Sequence, residues 1–220
     1  GGLSCAAQRK EAIRELAARR ALDIDGLGER YIENLVDLGY VHGVADLYRL
    51  TLADFLEMKR RADERDGLTP ETVQQGKIAT KWAENLVAAL AASRHTTLTR
   101  LLYALGIRHV GESTARTLAD WLGSLDRVRR APAPILRALP DIGSEVAEAI
   151  DEFFAQPGNQ AALDALLAGG VQPGDEHPPA AALAERLDPA ALLAALGAAK
   201  LSEARARKLA PALGADGLAE

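Results

Sequence analysis

Hydrophobic residues recur along this chain at the spacing of amphipathic helices. In the stretch 8–20, for example, Ala12, Ile13, Leu16 and Ala17 form one apolar stripe between basic residues. Leu, Ala, Ile and Val supply most stripes, because only 4% of the residues are aromatic. The pattern predicts an all-α protein.

Short turns with a common pattern separate these stripes. Each has a small or turn-forming residue, an aliphatic residue and a small residue, and a helical stretch starts directly after it. The copies are Gly26-Leu27-Gly28, Lys77-Ile78-Ala79, His109-Val110-Gly111, Asp141-Ile142-Gly143 and, most weakly, Lys200-Leu201-Ser202. Four residues beyond these copies lie Ile32, Ala83, Ala115, Ala147 and Ala206, where a small side chain lets two helices cross closely. The equal spacing of the second, third and fourth copies indicates one helix-hairpin-helix unit used repeatedly.

The repeats predict a compact, pseudo-symmetric domain of four helix-hairpin-helix units over residues 8–171. A polar stretch with Gly67 and Pro70 indicates a loop inserted at about 61–75, ahead of the second hairpin. Pro157-Gly158 is expected to end the fourth unit, followed by a short helix over 159–167 and a Pro-rich linker at 172–182. Residues 195–203 align without gaps on residues 104–112, so 183–220 are expected to be a helical extension with a truncated, degenerate hairpin unit.

Cysteine content and hydropathy narrow the possible classes of protein. Cys5 is the only cysteine, which excludes an internal disulfide and a complete zinc or iron–sulfur site within the chain and is typical of a reducing compartment. No apolar run approaches the roughly 20 residues that span a bilayer. We therefore expect a cytoplasmic protein without membrane contact. Because the only methionine is Met58, the chain is expected to be a fragment.

The net charge of −5 argues against coating of nucleic acid by positive charge alone. The charge is unevenly distributed: residues 1–137 carry 21 Lys plus Arg against 18 Asp plus Glu, whereas residues 138–220 carry 5 against 13. Any nucleic-acid face is expected mostly in the first part of the chain.

A hairpin that runs straight into a helix exposes backbone N–H groups without intrahelical partners, at the positive end of the helix dipole. Such a junction binds anions, and two of them related by pseudo-twofold symmetry match the antiparallel strands of a duplex. These contacts read the phosphate backbone and are indifferent to base sequence. The candidate DNA-binding residues are Gly26, Gly28, Glu29, Arg30, Lys77, Thr80, Lys81, Arg108, His109, Gly111, Glu112, Ser113, Gly143 and Ser144.

Each candidate also has a purely structural interpretation. Gly-aliphatic-Gly before a helix also forms a plain interhelical turn, and repetition at equal spacing is what favours phosphate binding. Arg108 and His109 fit a surface arginine and a packing histidine equally well, and the lysines around the second hairpin fit a solvated face. Trp82 and Trp121 have the spacing of core residues, and no pair of carboxylates is arranged for acid–base catalysis. The first and third hairpins are the leading candidates, since Asp141 adds negative charge to the fourth.

Several runs of residues resemble the carboxy-terminal half of bacterial NAD-dependent DNA ligases. They are 5–8, 19–28, 46–48 and 101–112, the last reading Leu-Leu-Tyr-Ala-Leu-Gly-Ile-Arg-His-Val-Gly-Glu. The resemblance covers residues 1 to about 171. It implies four helix-hairpin-helix motifs that bind duplex DNA, expected to be nicked, in a monomeric protein associated with the bacterial nucleoid.

The same resemblance implies that Cys5 is the last of four zinc ligands and that residues 1–7 end a zinc finger. For the intact ligase it implies NAD and magnesium: a lysine is adenylylated from NAD, AMP passes to the 5′ phosphate, and the adjacent 3′ hydroxyl attacks. Nothing in this chain resembles the adenylation domain, so DNA binding without catalytic residues or a bound cofactor is expected here. The open alternatives are an accessory domain of a DNA-repair glycosylase or nuclease and a helical protein-interaction module.

Overall fold

The computed structural model describes residues 6–69, 79–187 and 189–190, in which α-helices dominate. The helices are α1 (Ala6–Ala17), α2 (Glu29–Asp37), a 3-10 helix (Val44–Arg49), α3 (Leu52–Arg65), α4 (Lys81–Ser93), α5 (Leu98–Ala104), α6 (Glu112–Leu122), α7 (Leu125–Arg130), α8 (Ala133–Leu136), α9 (Ser144–Ala155), α10 (Pro157–Ala168) and α11 (Leu183–Arg186). Two very short strands, β1 (His95–Thr96) and β2 (Gln172–Pro173), pair in parallel with His95 opposite Gln172. The predicted all-α class is confirmed.

The chain divides into two compact units. Of the described residues, those up to 106 and those of 156–174 form unit 1, and those of 107–155 and from 175 onward form unit 2. The sequence pattern predicts a single domain over 8–171, whereas the first hairpin lies in unit 1 and the third and fourth hairpins lie in unit 2. Equal repeat spacing does not reveal this division, because it records the repeated unit and not which copies pack together.

The core of unit 1 forms from the predicted apolar stripes. Helix α1 packs on α2, the 3-10 helix and α5, and it buries Ile13 and Leu16. Helix α3 packs on α2 and α4 and buries Phe55 and Met58. Helix α10 packs on the 3-10 helix, where Leu47 is buried. The first hairpin therefore lies against the hydrophobic core that these helices form.

Unit 2 is built in the same way from shorter helices. Helix α6 packs on α7, and α9 packs on both α7 and α8. Each of the four contributes a fully buried aliphatic side chain to the core, namely Leu118, Val128, Leu136 and Ile150. The third and fourth hairpins precede α6 and α9 respectively, so this core supports both of them.

Helix α3 extends into the stretch whose polar composition predicts an inserted loop at 61–75. Residues 61–65 are helical, and Ala62 is buried. The helix begins with a capping box, and an i,i+4 ion pair between Lys59 and Asp63, with Nζ and Oδ2 2.9 Å apart, supports its second half. The many charges of this helix obscure its buried positions in the sequence. The remainder of the predicted insertion, from residue 70, lies outside the described residues.

Two other boundaries also differ from the prediction. The helix of the fourth unit ends at Ala155 as expected, but the next helix, α10, already begins at Pro157, because proline is well tolerated in a first turn, where its missing N–H has no intrahelical partner. The first three residues of the predicted linker 172–182 belong to unit 1, and the rest belong to unit 2. It begins with β2, and Glu176 Oε2 then accepts a hydrogen bond from the backbone N–H of Leu125 at 2.7 Å.

Cys5, Lys77 and residues 191–220, which include the weak hairpin at 200–202, lie outside the described residues. Most of the predicted extension at 183–220 is therefore not described. Within the described part of the chain, no helix has the length and apolar character required to cross a membrane.

Candidate nucleic-acid interface

The three described hairpins with a leading turn residue share one backbone feature. Their leading residues, Gly26, His109 and Asp141, have φ angles of 84°, 67° and 59°, in the left-handed region. Glycine adopts this region freely, whereas other L-residues are strained there by roughly 1–2 kcal/mol. His109 and Asp141 therefore hold the same turn as Gly26 at an energetic cost.

The left-handed residue turns the next side chain into the protein. Leu27, Val110 and Ile142 are buried, whereas the residues on either side of each are exposed. The predicted packing positions four residues after each hairpin are buried as well. Each hairpin is thus anchored by its aliphatic side chain and presents its backbone at the surface.

A glycine occupies the N-cap position after each of these turns. The carbonyl oxygens of Gly28, Gly111 and Gly143 accept hydrogen bonds from the N–H four residues later, at 3.1, 2.9 and 3.0 Å. Among the described residues, no atom lies within 4 Å of the place where a Cβ on any of these glycines would be. Gly28 and Gly111 have φ angles of −79° and −90°, which any residue adopts. Neither packing nor strain explains these glycines, but their missing side chains leave the first-turn N–H groups open to approach.

Three helices outside the hairpins begin with a side-chain cap instead. Thr51, Thr97 and Ser124 cap α3, α5 and α7, each accepting a hydrogen bond from the N–H three residues later. A side-chain oxygen satisfies one N–H in each of those helices, whereas a glycine N-cap supplies no such oxygen. The hairpin helices α2, α6 and α9 therefore keep first-turn N–H groups available for an external anion.

The second hairpin departs from this arrangement. Helix α4 begins at Lys81 with Thr80 as its N-cap, one residue later than the pattern predicts, and Thr80 makes no side-chain cap. Its hydroxyl instead donates to Glu84 Oε1 at 3.2 Å. Lys81 is exposed and Thr80 is half-buried. The start of α4 is thus less open than the starts of the other three hairpin helices.

In unit 1 the start of α4 lies beside the first hairpin. Tyr31 in the first turn of α2 stacks on Trp82 in the first turn of α4, with ring centroids 5.1 Å apart and planes 3° from parallel. Leu86 Cδ2 of α4 lies 3.4 Å from the place of a Cβ on Gly26. Trp82 also meets the buried ring of Phe55 edge-on, at 6.4 Å between centroids. Trp82 is therefore a packing residue that brings the starts of α2 and α4 together.

In unit 2 a polar contact joins the third and fourth hairpins. Nε2 of His109 lies 3.2 Å from Oε1 of Glu145 in the first turn of α9. Arg108 and His109 are both exposed, so the interpretation of His109 as a buried packing residue is wrong. Trp121 is half-buried and packs beneath the guanidinium of Arg186, which lies 5.3 Å from the ring centroid. The two hairpins of this unit form a second pair.

Charged side chains at the first hairpin have partners within the protein. The Glu29 carboxylate accepts hydrogen bonds from Nε and Nη2 of Arg14, both at 2.5 Å, and this pairing holds the pKa of Glu29 below its usual range. The side chain of Glu29 is therefore committed to Arg14, and only its backbone N–H remains a candidate phosphate contact. Arg30 is exposed, with Nη2 3.6 Å from Oδ2 of Asp66.

The remaining candidates lie on the surface of unit 2. Gly111, Glu112, Ser113, Gly143 and Ser144 are all exposed. Carboxylates in a first turn stabilise the helix start but repel phosphate. The backbone N–H groups of these residues, not the glutamate side chain, are the chemically suitable contacts.

A cavity of about 430 Å³ borders the first hairpin and was missed from the sequence. Residues 28–31 line one side, and Met58, Lys59 and Ala62 of α3 line another. Lys59 lies just before the loop predicted at about 61–75 and is not among the residues predicted to bind DNA. The signal that could have found it is the helical spacing of the buried residues of α3.

Comparison with known proteins identifies the arrangement. A family of proteins with the helix-hairpin-helix motif matches residues 100–163, from α5 through both hairpins of unit 2 into α10. A DNA ligase of Stenotrophomonas maltophilia strain R551-3 is 46% identical over 254 residues, covering 97% of this chain and 31% of the ligase. DNA ligases of Xanthomonas oryzae pv. oryzae strain MAFF 311018 and Xanthomonas campestris pv. campestris strain B100 are each 44% identical, over 97% and 96% of this chain and 31% of each ligase. Over 97% of its length, the chain corresponds to a region of bacterial DNA ligases.

This chain spans about a third of the length of these DNA ligases, 31% of each. The resemblance predicted from the sequence motifs ends at about residue 171. Since 97% of the chain is matched, the similarity to the ligases continues beyond that residue. The first hairpin lies outside the residues matched to the helix-hairpin-helix motif. It nevertheless has the left-handed leading residue and the open N-cap glycine of the hairpins inside that match.

Proposed function

We propose that this region of a bacterial DNA ligase binds duplex DNA through backbone N–H groups at its hairpin–helix junctions, without preference for base sequence. The observation that supports the proposal is the N-cap glycine with open space at Gly28, Gly111 and Gly143. A phosphate oxygen can approach the first-turn N–H groups there because no side chain intervenes, and the helix dipole favours an anion. Pairing of hairpin helices within each unit offers contacts to more than one phosphate.

The charge of the chain fits this mode of binding. A net charge of −5 leaves no general excess of cations, and neutral N–H donors do not require one. The first and third hairpins are the preferred contacts, because the start of α4 is displaced to Thr80 and the fourth hairpin carries the exposed Asp141.

In the intact ligase, we infer that this region holds nicked duplex while the rest of the protein seals the nick with NAD and magnesium, in replication and repair at the bacterial nucleoid. A monomer suffices for this role. The residues of the chain do not fit a zinc site of four cysteines, because Cys5 is the only cysteine. Residues 6–69, 79–187 and 189–190 also contain no group of three or more potential metal ligands.

Fluorescence anisotropy with labelled nicked, intact and single-stranded DNA tests the proposal. We expect both duplexes to bind with affinities that differ by less than about threefold between base sequences. Gly28→Asp and Gly111→Asp are each expected to weaken binding at least about tenfold with unchanged circular dichroism, because aspartate is a good N-cap but repels phosphate.

Gly43→Asp is the matched control. Gly43 is an N-cap glycine with the same open space, but its helix is outside the hairpins, and the carboxylate of Asp46 already accepts its N–H at 3.1 Å. Absence of duplex binding by the unmodified chain at low salt would refute the proposal. Cleavage of the DNA would favour a repair nuclease or glycosylase, and loss of helix content in the hairpin variants would favour a plain interhelical turn.

A further inference from the structure

An arginine from α5 holds the segment that leads into the first hairpin. Nη1 of Arg100 donates to the carbonyl oxygens of Arg19 and Ala21, at 3.1 and 2.9 Å. These carbonyls follow the end of α1, where backbone oxygens have no further helical partner and a cation is favoured by the helix dipole. Arg100 is 79 positions away from Ala21 in the sequence. It therefore ties the approach to the hairpin to a distant part of unit 1.

The segment that Arg100 binds leads directly into the first hairpin. Directly after Ala21, the chain passes through Asp23, whose φ of 53° is left-handed, before it reaches the left-handed Gly26. The N–H groups of Leu22 and Ile24 donate to α1 carbonyls, and the N–H of Asp23 donates to the carbonyl of Ala18, just beyond the end of α1. The two carbonyls that Arg100 holds therefore fix the direction of the hairpin backbone together with the buried side chains of Leu22 and Ile24.

In unit 2, an arginine makes a similar hydrogen bond to a backbone carbonyl ahead of the fourth hairpin. Nε of Arg186, in α11, donates to the carbonyl oxygen of Ala138 at 2.6 Å, three residues before the left-handed Asp141. The same guanidinium lies over the ring of Trp121, which fixes its position against α6. In both units, a remote arginine binds a carbonyl in the short segment that enters a hairpin.

We propose that Arg100 and Arg186 are positioning residues for DNA binding, each setting the direction of one hairpin by holding the backbone that leads into it. This inference rests on the proposed function. Its chemistry differs from direct phosphate binding, because the guanidinium donors used here are directed at protein carbonyls.

The test compares two arginine-to-methionine variants with two matched controls. R100M and R186M keep much of the apolar stem but remove the donors. R94M and R127M do the same at Arg94, which binds the carbonyls of Tyr48 and Gly169, and at Arg127, which binds those of Leu122 and His177. None of these control carbonyls leads directly into a hairpin. Affinity for a nicked duplex is measured at a temperature where circular dichroism shows every variant folded.

We expect R100M and R186M to bind about five- to tenfold more weakly than the unmodified chain. R94M and R127M are expected to melt at lower temperature yet bind within about twofold, and R100K and R186K, which restore a charged donor, are expected to recover most of the affinity. If R100M is unfolded at every practical assay temperature, R100Q is measured in its place.

Two results would overturn the inference. Unchanged affinity of R100M and R186M, with only a lower melting temperature, would make the two arginines merely structural. A fall of about one in the slope of log Kd against log salt would mean that the arginines contact phosphate themselves. Failure of the unmodified chain to bind any duplex is a different outcome, because it refutes the proposed function and not the positioning alone.

Discussion

Serine placed at each glycine of the first hairpin is expected to change stability in opposite directions. Gly26 has a φ of 84°, so serine there is strained by about 1–2 kcal/mol, and its Cβ would lie 3.4 Å from Leu86 Cδ2. The smaller conformational entropy of the unfolded serine chain offsets roughly 0.4–1 kcal/mol of this strain. We therefore expect Gly26→Ser to lower the free energy of unfolding by about 1 kcal/mol.

Gly28, two residues later, provides the contrast. Its φ is −79°, and no described atom lies within 4 Å of its missing Cβ. A serine oxygen at this N-cap accepts a first-turn N–H, so Gly28→Ser is expected to raise the free energy of unfolding by about 0.3 kcal/mol. Urea denaturation followed by circular dichroism measures both variants. Equal destabilisation by the two substitutions, or stabilisation by Gly26→Ser, would refute the backbone assignment of this hairpin.

Three further substitutions test other parts of the structure. Burial raises the pKa of Glu15 above its usual 4.5. The protonated form therefore stabilises the fold fully below pH 4.5, and this stabilisation is lost as the pH rises through the pKa of the folded state. Glu15→Gln should be more stable than the unmodified chain at neutral pH, and equal urea midpoints there would contradict this. Gly123→Ala should lower the free energy of unfolding by about 3 kcal/mol or more in thermal melts, because φ is 74° and the new Cβ would lie 2.2 Å from the carbonyl oxygen of His177. An unchanged free energy of unfolding would show that the 175–180 segment is loosely held. Asp141→Asn keeps a residue that tolerates the left-handed turn but removes a charge, so duplex affinity should rise about two- to fivefold with unchanged melting temperature; unchanged affinity would place this hairpin away from phosphate.

The hairpins could be predicted from the sequence because their requirements are local. A left-handed leading residue, a buried aliphatic residue and a small N-cap each affect one position, and Gly26-Leu27-Gly28 displays all three. His109 and Asp141 meet the same requirement with residues that only their place in the repeat made recognisable.

The pairing of hairpins could not be predicted, because it depends on contacts between distant residues. The stack of Tyr31 on Trp82 and the contact of His109 with Glu145 leave no periodic trace in the sequence. The helical end of α3 was missed for a different reason: almost all of its residues are charged, and one residue of its buried face is the aspartate Asp63. The carbonyl contacts of Arg100 could not be predicted either, since an arginine in a sequence is ordinarily expected to be exposed to solvent.

The most direct test of binding through backbone N–H groups is the affinity of the triple variant Gly28→Ser, Gly111→Ser and Gly143→Ser for nicked duplex DNA. Each serine has room in the structure, and its oxygen accepts a first-turn N–H that phosphate would otherwise bind. We expect the urea midpoint to be unchanged or higher while Kd rises by about a hundredfold or more. A triple variant that is as stable as the unmodified chain and binds duplex DNA with the same Kd would contradict the mechanism.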